Sequence, residues 1–284
     1  MLFRSWLIIT ILPVTNIIIV SFTSSESITN FGFSFFPQVW SVEGYNYLFR
    51  MGDQLIRSYI VTIQYAVFGT ALGLLTMSLY AYVLAQRDFP LRRFLTWFLF
   101  ITMIFNGGLV PSYILITRYL RINNTFWLFL LNGMAASGGI IILRTFIKTT
   151  IPPSLIESAR IDGAGHIRIY FIIVMPLLKA GLATIGLFGF VWRWNDWFTA
   201  FLYNSNPNLI PLQTFLYRII TQIQFLTNNS DFASTPEGFE MLKNTPTTSL
   251  QMACTVMVIL PILFAYPFFQ RFFEKGMLVG SIKE

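Results

Sequence analysis

An all-α protein embedded in lipid is the fold this sequence predicts, and three observations carry the prediction. Of 284 residues, 55% are hydrophobic and only 11% are charged, with a mean hydropathy of +0.64. Soluble domains carry about 25% charged residues, so a chain this poor in charge cannot coat a globule in water, and its solvent is lipid. The apolar residues also gather into six runs of the length, roughly 20 helical residues, that crosses a hydrocarbon core about 30 Å thick. Finally, the runs are continuously apolar, whereas the strands of a lipid-facing barrel alternate over about 10 residues.

The first run, Ser5 to Phe22, follows Arg4 and has no small-residue cleavage site at Ser21 to Ser27, so it is expected to be a retained helix rather than a signal peptide. The second, Ser58 to Ala85, contains Gly69 and Gly73, a G-x-x-x-G spacing that permits close helix approach. The third, Phe94 to Thr117, is interrupted by Asn106-Gly107-Gly108 and Pro111. Such a break frees backbone groups that lipid cannot satisfy, so it is expected to face protein or a cavity, with Tyr113 just beyond offering an aromatic face. The fourth, Phe126 to Leu143, carries Asn132, and the fifth and sixth are Ala180 to Leu202 and Leu250 to Phe269.

With the N-terminus in the cytoplasm, twelve Lys and Arg side chains fall inside and six outside, while Arg193 lies within a span. This bias predicts a multi-pass protein with both termini cytoplasmic. The formal charge of +7 is then mostly topological. No basic stretch is interleaved with exposed aromatics away from the membrane, so nucleic acid is not an expected partner. The outward segments Thr23 to Arg57 and Tyr203 to Ser249, rich in Asn, Ser, Pro and aromatic residues, are expected to be docking surface or lid.

The single histidine, His166, and single cysteine, Cys254, exclude a disulfide framework and the usual metal clusters. The fifth run is unusual in holding Trp192, Arg193, Trp194, Asn195, Asp196 and Trp197, because a charge at the centre of a span costs about 2.5 to 3.5 kcal/mol on insertion scales. Arg193 and Asp196, three residues apart on a helix, are expected to neutralise one another. Flat aromatic faces with amide and guanidinium groups suit the C–H surfaces and hydroxyls of sugars in a water-filled cavity. Asn195, Trp194 and Trp197, with Arg193 and Tyr113, are therefore candidates for a solute pathway. An aromatic belt at the membrane interface is the competing explanation for the tryptophans.

The inward segment 144–179 is the most informative stretch. After Pro152-Pro153, Ser154 and Glu157 have the spacing of a capping box that opens a short helix. Gly163 then offers a left-handed turn at little cost, and a second helix runs to Pro176. A bent pair results, with Ile161, Ile167, Phe171 and Ile172 available to pack on a partner and Glu157, Arg160, Asp162 and Arg168 facing water. The stiff entry and exit at the prolines suit an element that transmits rigid-body movement.

Glu157, Ala159, Gly163, Ile173 and Pro176 stand at the spacing of the "EAA" loop of binding-protein-dependent ABC importer permeases, E-A-A, three residues, G, nine residues, I-x-L-P, with Ser158 and Met175 departing from it. The chain resembles the maltose-importer-type carbohydrate permeases of that family over nearly its whole length. The stretches Asn106 to Pro111, Trp194 to Trp197 and Lys275 to Lys283 contribute, and the likeness is greatest to permeases for oligosaccharides released from polysaccharides. The resemblance implies that Glu157, Ala159, Asp162 and Gly163 form a coupling helix seated in a cytoplasmic ATPase. It also implies a second, homologous permease subunit, an ATPase dimer, an extracytoplasmic solute-binding protein, and a tail from Lys275 to Glu284 reaching toward the ATPase. No phosphate-binding G-x-x-x-x-G-K-[ST] occurs, so ATP and magnesium belong to the partner subunits, and this chain is a transport subunit of a bacterial cytoplasmic membrane rather than an enzyme. The alternatives are an importer permease for a non-sugar solute and an ion-coupled secondary transporter. The latter would need inverted repeats and ionisable residues at the bilayer midplane.

Overall fold

The computed structural model describes residues 2–229, 232 and 234–280. Among them the secondary structure is helical, apart from one isolated bridge between Thr23 and Trp40. Two helices are by themselves long and apolar enough to cross a membrane, Gly52–Ala85 and the stretch Thr247–Ala265 of the Thr247–Gly280 helix; three bent pairs raise the number to as many as five if each pair is one span. The chain divides into two compact units, Met1–Val61 with Ile210–Phe264, and Thr62–Leu209 with Ala265–Glu284.

In the first unit the Leu2–Ser21 helix is followed by a short helix, Ser25–Phe31. Its start is capped by Ser24, whose hydroxyl accepts the Ser27 N–H at 3.2 Å. The Glu43–Arg50 helix lies so close to the start of Thr247–Gly280 that a Cβ on Gly44 would stand 2.8 Å from the Ser249 carbonyl oxygen. The segment Tyr203 to Ser249, expected as a loop, is largely helical here. Leu212–Asn228 buries Leu212, Phe215, Leu216, Ile219, Ile223 and Leu226 and exposes Arg218, Thr221, Gln222 and Gln224. Its apolar stripe recurs at three- and four-residue steps, the mark of a helix with one buried face, but the polar face lowers its average hydropathy below that of a span.

In the second unit the core joins five segments. Met77, Ala81 and Leu84 of Gly52–Ala85 meet Leu99 of Arg92–Ile104, Ile140, Leu143 and Ile147 of Ser137–Thr150, Ile169, Tyr170 and Val174 of the segment 166–177, and Leu178 and Ile185 just before and within the fifth run. The third run is two helices, Arg92–Ile104 and Leu109–Ile114, the second prolonged to Tyr119, with a bend of 114° between them. Gly108 at φ +86° makes the break, and Asn106 Oδ1 accepts the Gly108 N–H at 2.9 Å. Residues 101–111 lie exposed on this chain. The fourth run, expected to be one helix, is also broken. Phe126–Leu131 gives way to an irregular stretch at 132–136, with Gly133 at φ +66°, before Ser137–Thr150 begins. The last four residues of the tail, 281–284, fall outside the described residues.

Candidate functional site

Two features carry chemistry, an elbow at 151–178 and a buried polar cluster beneath the break in the fourth run. The Ser137–Thr150 helix cannot continue through Pro152-Pro153, because neither proline has an N–H to give. The chain turns by 79° into Pro153–Ile161, with Pro153 at the first helical position. Its preset φ suits that place, and Pro152 occupies the capping position, so the expected capping box does not form: Ser154 lies inside the first turn and no side-chain cap bond is made.

The end of this short helix is defined by two backbone bonds. The Ala164 N–H reaches the Ala159 carbonyl at 2.9 Å and the Gly163 N–H reaches the Arg160 carbonyl at 3.0 Å. This pairing is the Schellman termination, which requires a left-handed residue; Gly163 supplies it at φ +81°. Ala159 and Ala164 both pack on the core beneath. The glycine and the alanines of the motif therefore share one cause, a tight reversal laid flat on the core. The chain then runs through His166–Ile169, a widened turn at Tyr170–Val174 and Met175–Leu177, and bends by 78° into Lys179–Trp194.

On the outer face of the elbow Glu157, Asp162 and Gly163 are exposed, as are Ile161 at 86%, Ile167 at 77%, Phe171 and Ile172. Arg160, expected to face water, instead ties the elbow to the preceding turn: it donates to Gln86 Oε1 at 2.8 Å and to Asp88 Oδ2 at 3.2 Å.

The polar cluster differs most from expectation. The Lys179–Trp194 helix ends at Trp194, so Asp196 lies beyond the helix and the three-residue spacing no longer aligns it with Arg193. Among the described residues the single ion pair is Arg160 with Asp88. Asp196 instead accepts from Tyr65 Oη at 2.8 Å, from Asn132 Nδ2 at 3.3 Å and from the Thr199 N–H at 3.0 Å. Asn132 also donates to Thr199 Oγ1 at 2.8 Å.

Arg193, only 3% exposed, turns its guanidinium to three carbonyls: Gly189 at 3.1 Å on its own helix, and Asn132 at 3.3 Å and Gly133 at 3.1 Å in the broken fourth run. A break inside lipid leaves carbonyls with no water to bond. Here the guanidinium satisfies two of them, and the Thr76 hydroxyl donates to a third, that of Met134. Space for the guanidinium comes from glycines. A Cβ on Gly69 would stand 2.7 Å from Arg193 Nε, and Cβ atoms on Gly73 and Gly189 would each stand 3.2 Å from a terminal nitrogen. The Gly69/Gly73 pair thus admits an arginine side chain as well as a neighbouring helix.

As solute-pathway candidates the residues separate. Arg193 and Trp194 are buried, Trp194 at 2% and stacked on Phe190 at 6.0 Å, so neither presents a face to a solute in this structure. Asn195 is exposed, Trp197 half-buried against Phe198 and Phe201, and Tyr113 exposed and stacked on Tyr203 at 5.8 Å. Tyr65 and Thr199 are the members of the polar cluster that sequence reasoning missed, since a tyrosine or threonine in an apolar run gives no spacing signal.

Residues 78–279 match the family described as binding-protein-dependent transport system inner membrane component. The chain is similar to the polygalacturonan/rhamnogalacturonan transport system permease protein YtcP of Bacillus subtilis (strain 168), with 34% identity over 97% of this chain and 93% of that one. It is also similar to the arabinooligosaccharides transport system permease protein AraQ of Halalkalibacterium halodurans, with 26% identity over 97% of this chain and 92% of that one. Among solved structures, a chain of a bacterial ABC transporter involved in the import of the acidic polysaccharide alginate superposes with a TM-score of 0.80 and 28% identity, covering 96% of this chain and 94% of that one.

Proposed function

Because the chain belongs to the family of binding-protein-dependent transport system inner membrane components, we propose that it is the permease subunit of an ATP-driven importer that carries an oligosaccharide across the cytoplasmic membrane. ATP is hydrolysed on separate subunits, and family membership sets aside the ion-coupled secondary transporter. The assembly contains a second permease subunit, an ATPase dimer and an extracytoplasmic solute-binding protein, and this chain crosses the bilayer six times with both termini in the cytoplasm.

The observation that carries the proposal is the elbow. A short helix locked by the Gly163 reversal and by Arg160 leaves Ile161, Ile167, Phe171 and Ile172 exposed. In water such an apolar face marks an interaction surface. Seated in an ATPase subunit through Glu157, Asp162 and Gly163, with Ala159 fixing the turn from the core side, it moves when nucleotide closes the ATPase dimer. The 79° and 78° bends at its two ends pass that movement into Ser137–Thr150 and Lys179–Trp194.

The solute meets Asn195, Trp197 and Tyr113, where an amide and aromatic faces remain at the surface. Arg193 contributes by holding the fourth run in shape, so its charge does not select acidic saccharides. In reconstituted complete assemblies screened with pectin-, alginate- and arabinan-derived oligosaccharides, one class is expected to stimulate ATP turnover. In the double variant Asn195→Ala/Trp197→Ala that stimulation falls by about tenfold, the worth of one lost stacking face or bidentate hydrogen bond at about 1.4 kcal/mol, while basal turnover stays. Equal stimulation of the variant and the parent removes these residues from the pathway.

A further inference from the structure

Beside the root of the elbow lies a pocket of about 410 Å³ whose walls include Arg87, Arg92, Lys148, Pro153, Ile156 and Glu157. Arg144 stands one helical turn before Lys148. Asp88, 82% exposed, is taken by Arg160, and none of Arg87, Arg92, Arg144 and Lys148 has an ion-pair partner among the described residues. Their proximity is felt in their basicity. Burial holds the Lys148 ammonium below the ordinary lysine range, and Arg144, Arg92 and Arg87 lower it further; Arg144 is lowered by burial and then by Arg92. Arg87, Arg92 and Lys148 share the pocket with Glu157 and with the Arg160–Asp88 pair, so its walls carry more positive than negative charge; like charges held close repel one another and weaken the fold, and an anion with several oxygens relieves that repulsion.

The Arg92–Ile104 helix begins at this pocket and exposes Leu91 immediately before it, then Phe94, Trp97 and Phe98 in its first two turns. An apolar wall rising from a cluster of cations at the end of a span matches a charged headgroup with acyl chains above it.

We propose that this pocket binds a phosphate anion, supplied in the membrane by the headgroup of an anionic phospholipid, and that the bound lipid braces the elbow through its shared wall. The inference rests on the cytoplasmic placement of the elbow given above. An occupied pocket offsets the repulsion at the elbow's root, so the charge of the inner leaflet sets how firmly the coupling element is held.

The test uses the complete assembly in discs of phosphatidylcholine, with or without phosphatidylglycerol as the anionic lipid. Retained phosphatidylglycerol is counted by native mass spectrometry and ATP turnover is followed. The parent is expected to retain phosphatidylglycerol and to turn over faster when it is present. Arg92→Gln/Lys148→Gln loses both responses, with lipid affinity weakened about 25-fold at roughly fivefold per charge, and Arg92→Lys/Lys148→Arg recovers them. In neutral discs all three proteins match. Retention and stimulation of the glutamine variant at the parental level overturn the proposal. So does stimulation of the parent in neutral discs by inorganic phosphate, which assigns the pocket to a soluble anion, and so does loss of ATPase subunits from the glutamine variant in neutral discs, which assigns it to a carboxylate of the partner. A parent assembly that never retains an ATPase fails before any lipid is added, and that failure belongs to the permease assignment alone.

Discussion

Replacing Arg193 by leucine is expected to destabilise the protein by about 4 kcal/mol, because two buried helix-break carbonyls lose their donor at about 1 to 3 kcal/mol each. The variant should express poorly and unfold well below the parent in detergent. Arg193 is buried with no acidic partner at salt-bridge distance among the described residues, an arrangement that is costly unless dipoles replace the missing charge. The carbonyls of Gly189, Asn132 and Gly133 are those dipoles, and the ring of Trp192, 5.5 Å from the guanidinium carbon, adds a cation–π contact. Lysine at this position reaches fewer acceptors and is expected to fall between the two. Gly69→Ala should reproduce a milder form of the defect, since its Cβ would displace the guanidinium from 2.7 Å away. An unfolding temperature of Arg193→Leu equal to the parent's would show that the carbonyls find donors elsewhere.

Gly163→Val is expected to leave the fold intact and to cut ATPase retention and solute uptake by about tenfold or more. Nothing lies within 4 Å of a Cβ at this position, so the defect comes from the backbone alone. At φ +81° an L-residue is strained by about 1 to 2 kcal/mol, and a β-branched one by more. Relief moves the reversal, and with it the bonds from Ala164 to Ala159 and from Gly163 to Arg160. Asparagine, which visits the left-handed region more readily, should retain more function than valine. The measurement is the amount of ATPase that stays with affinity-purified permease, beside uptake in cells; parental values of both for the valine variant would separate the turn from coupling.

What was legible in the sequence was local. Pro152-Pro153, Gly163 and Pro176 act within a turn of themselves, and the elbow they predict is present with its apolar residues exposed. Ser154 and Glu157 had the right spacing for a capping box, but the spacing does not reveal that a proline already occupies the capping position. The pairing of Arg193 with Asp196 failed for a related reason: the three-residue rule assumes a continuous helix, and this one stops at Trp194. The break at Asn132-Gly133 had a turn dipeptide to announce it, submerged in an apolar run. Its meaning depends on Arg193, sixty residues away, whose hydrogen bonds no spacing rule predicts. The amphipathic Leu212–Asn228 helix was hidden because a search for spans averages over both faces.

The central claim, that the elbow is the handle gripped by a cytoplasmic ATPase, is tested most directly by attaching a thiol to it. Ile161→Cys places a reactive group at a position 86% exposed, and the chain's own single cysteine, Cys254, is buried. Membrane-impermeant thiol reagents should label this variant in inverted vesicles stripped of ATPase but not in intact spheroplasts. In the full assembly, a bifunctional reagent should join it to the ATPase subunit in a yield that changes with nucleotide. Labelling from outside the cell, or no nucleotide-sensitive product with the ATPase present, would contradict the account.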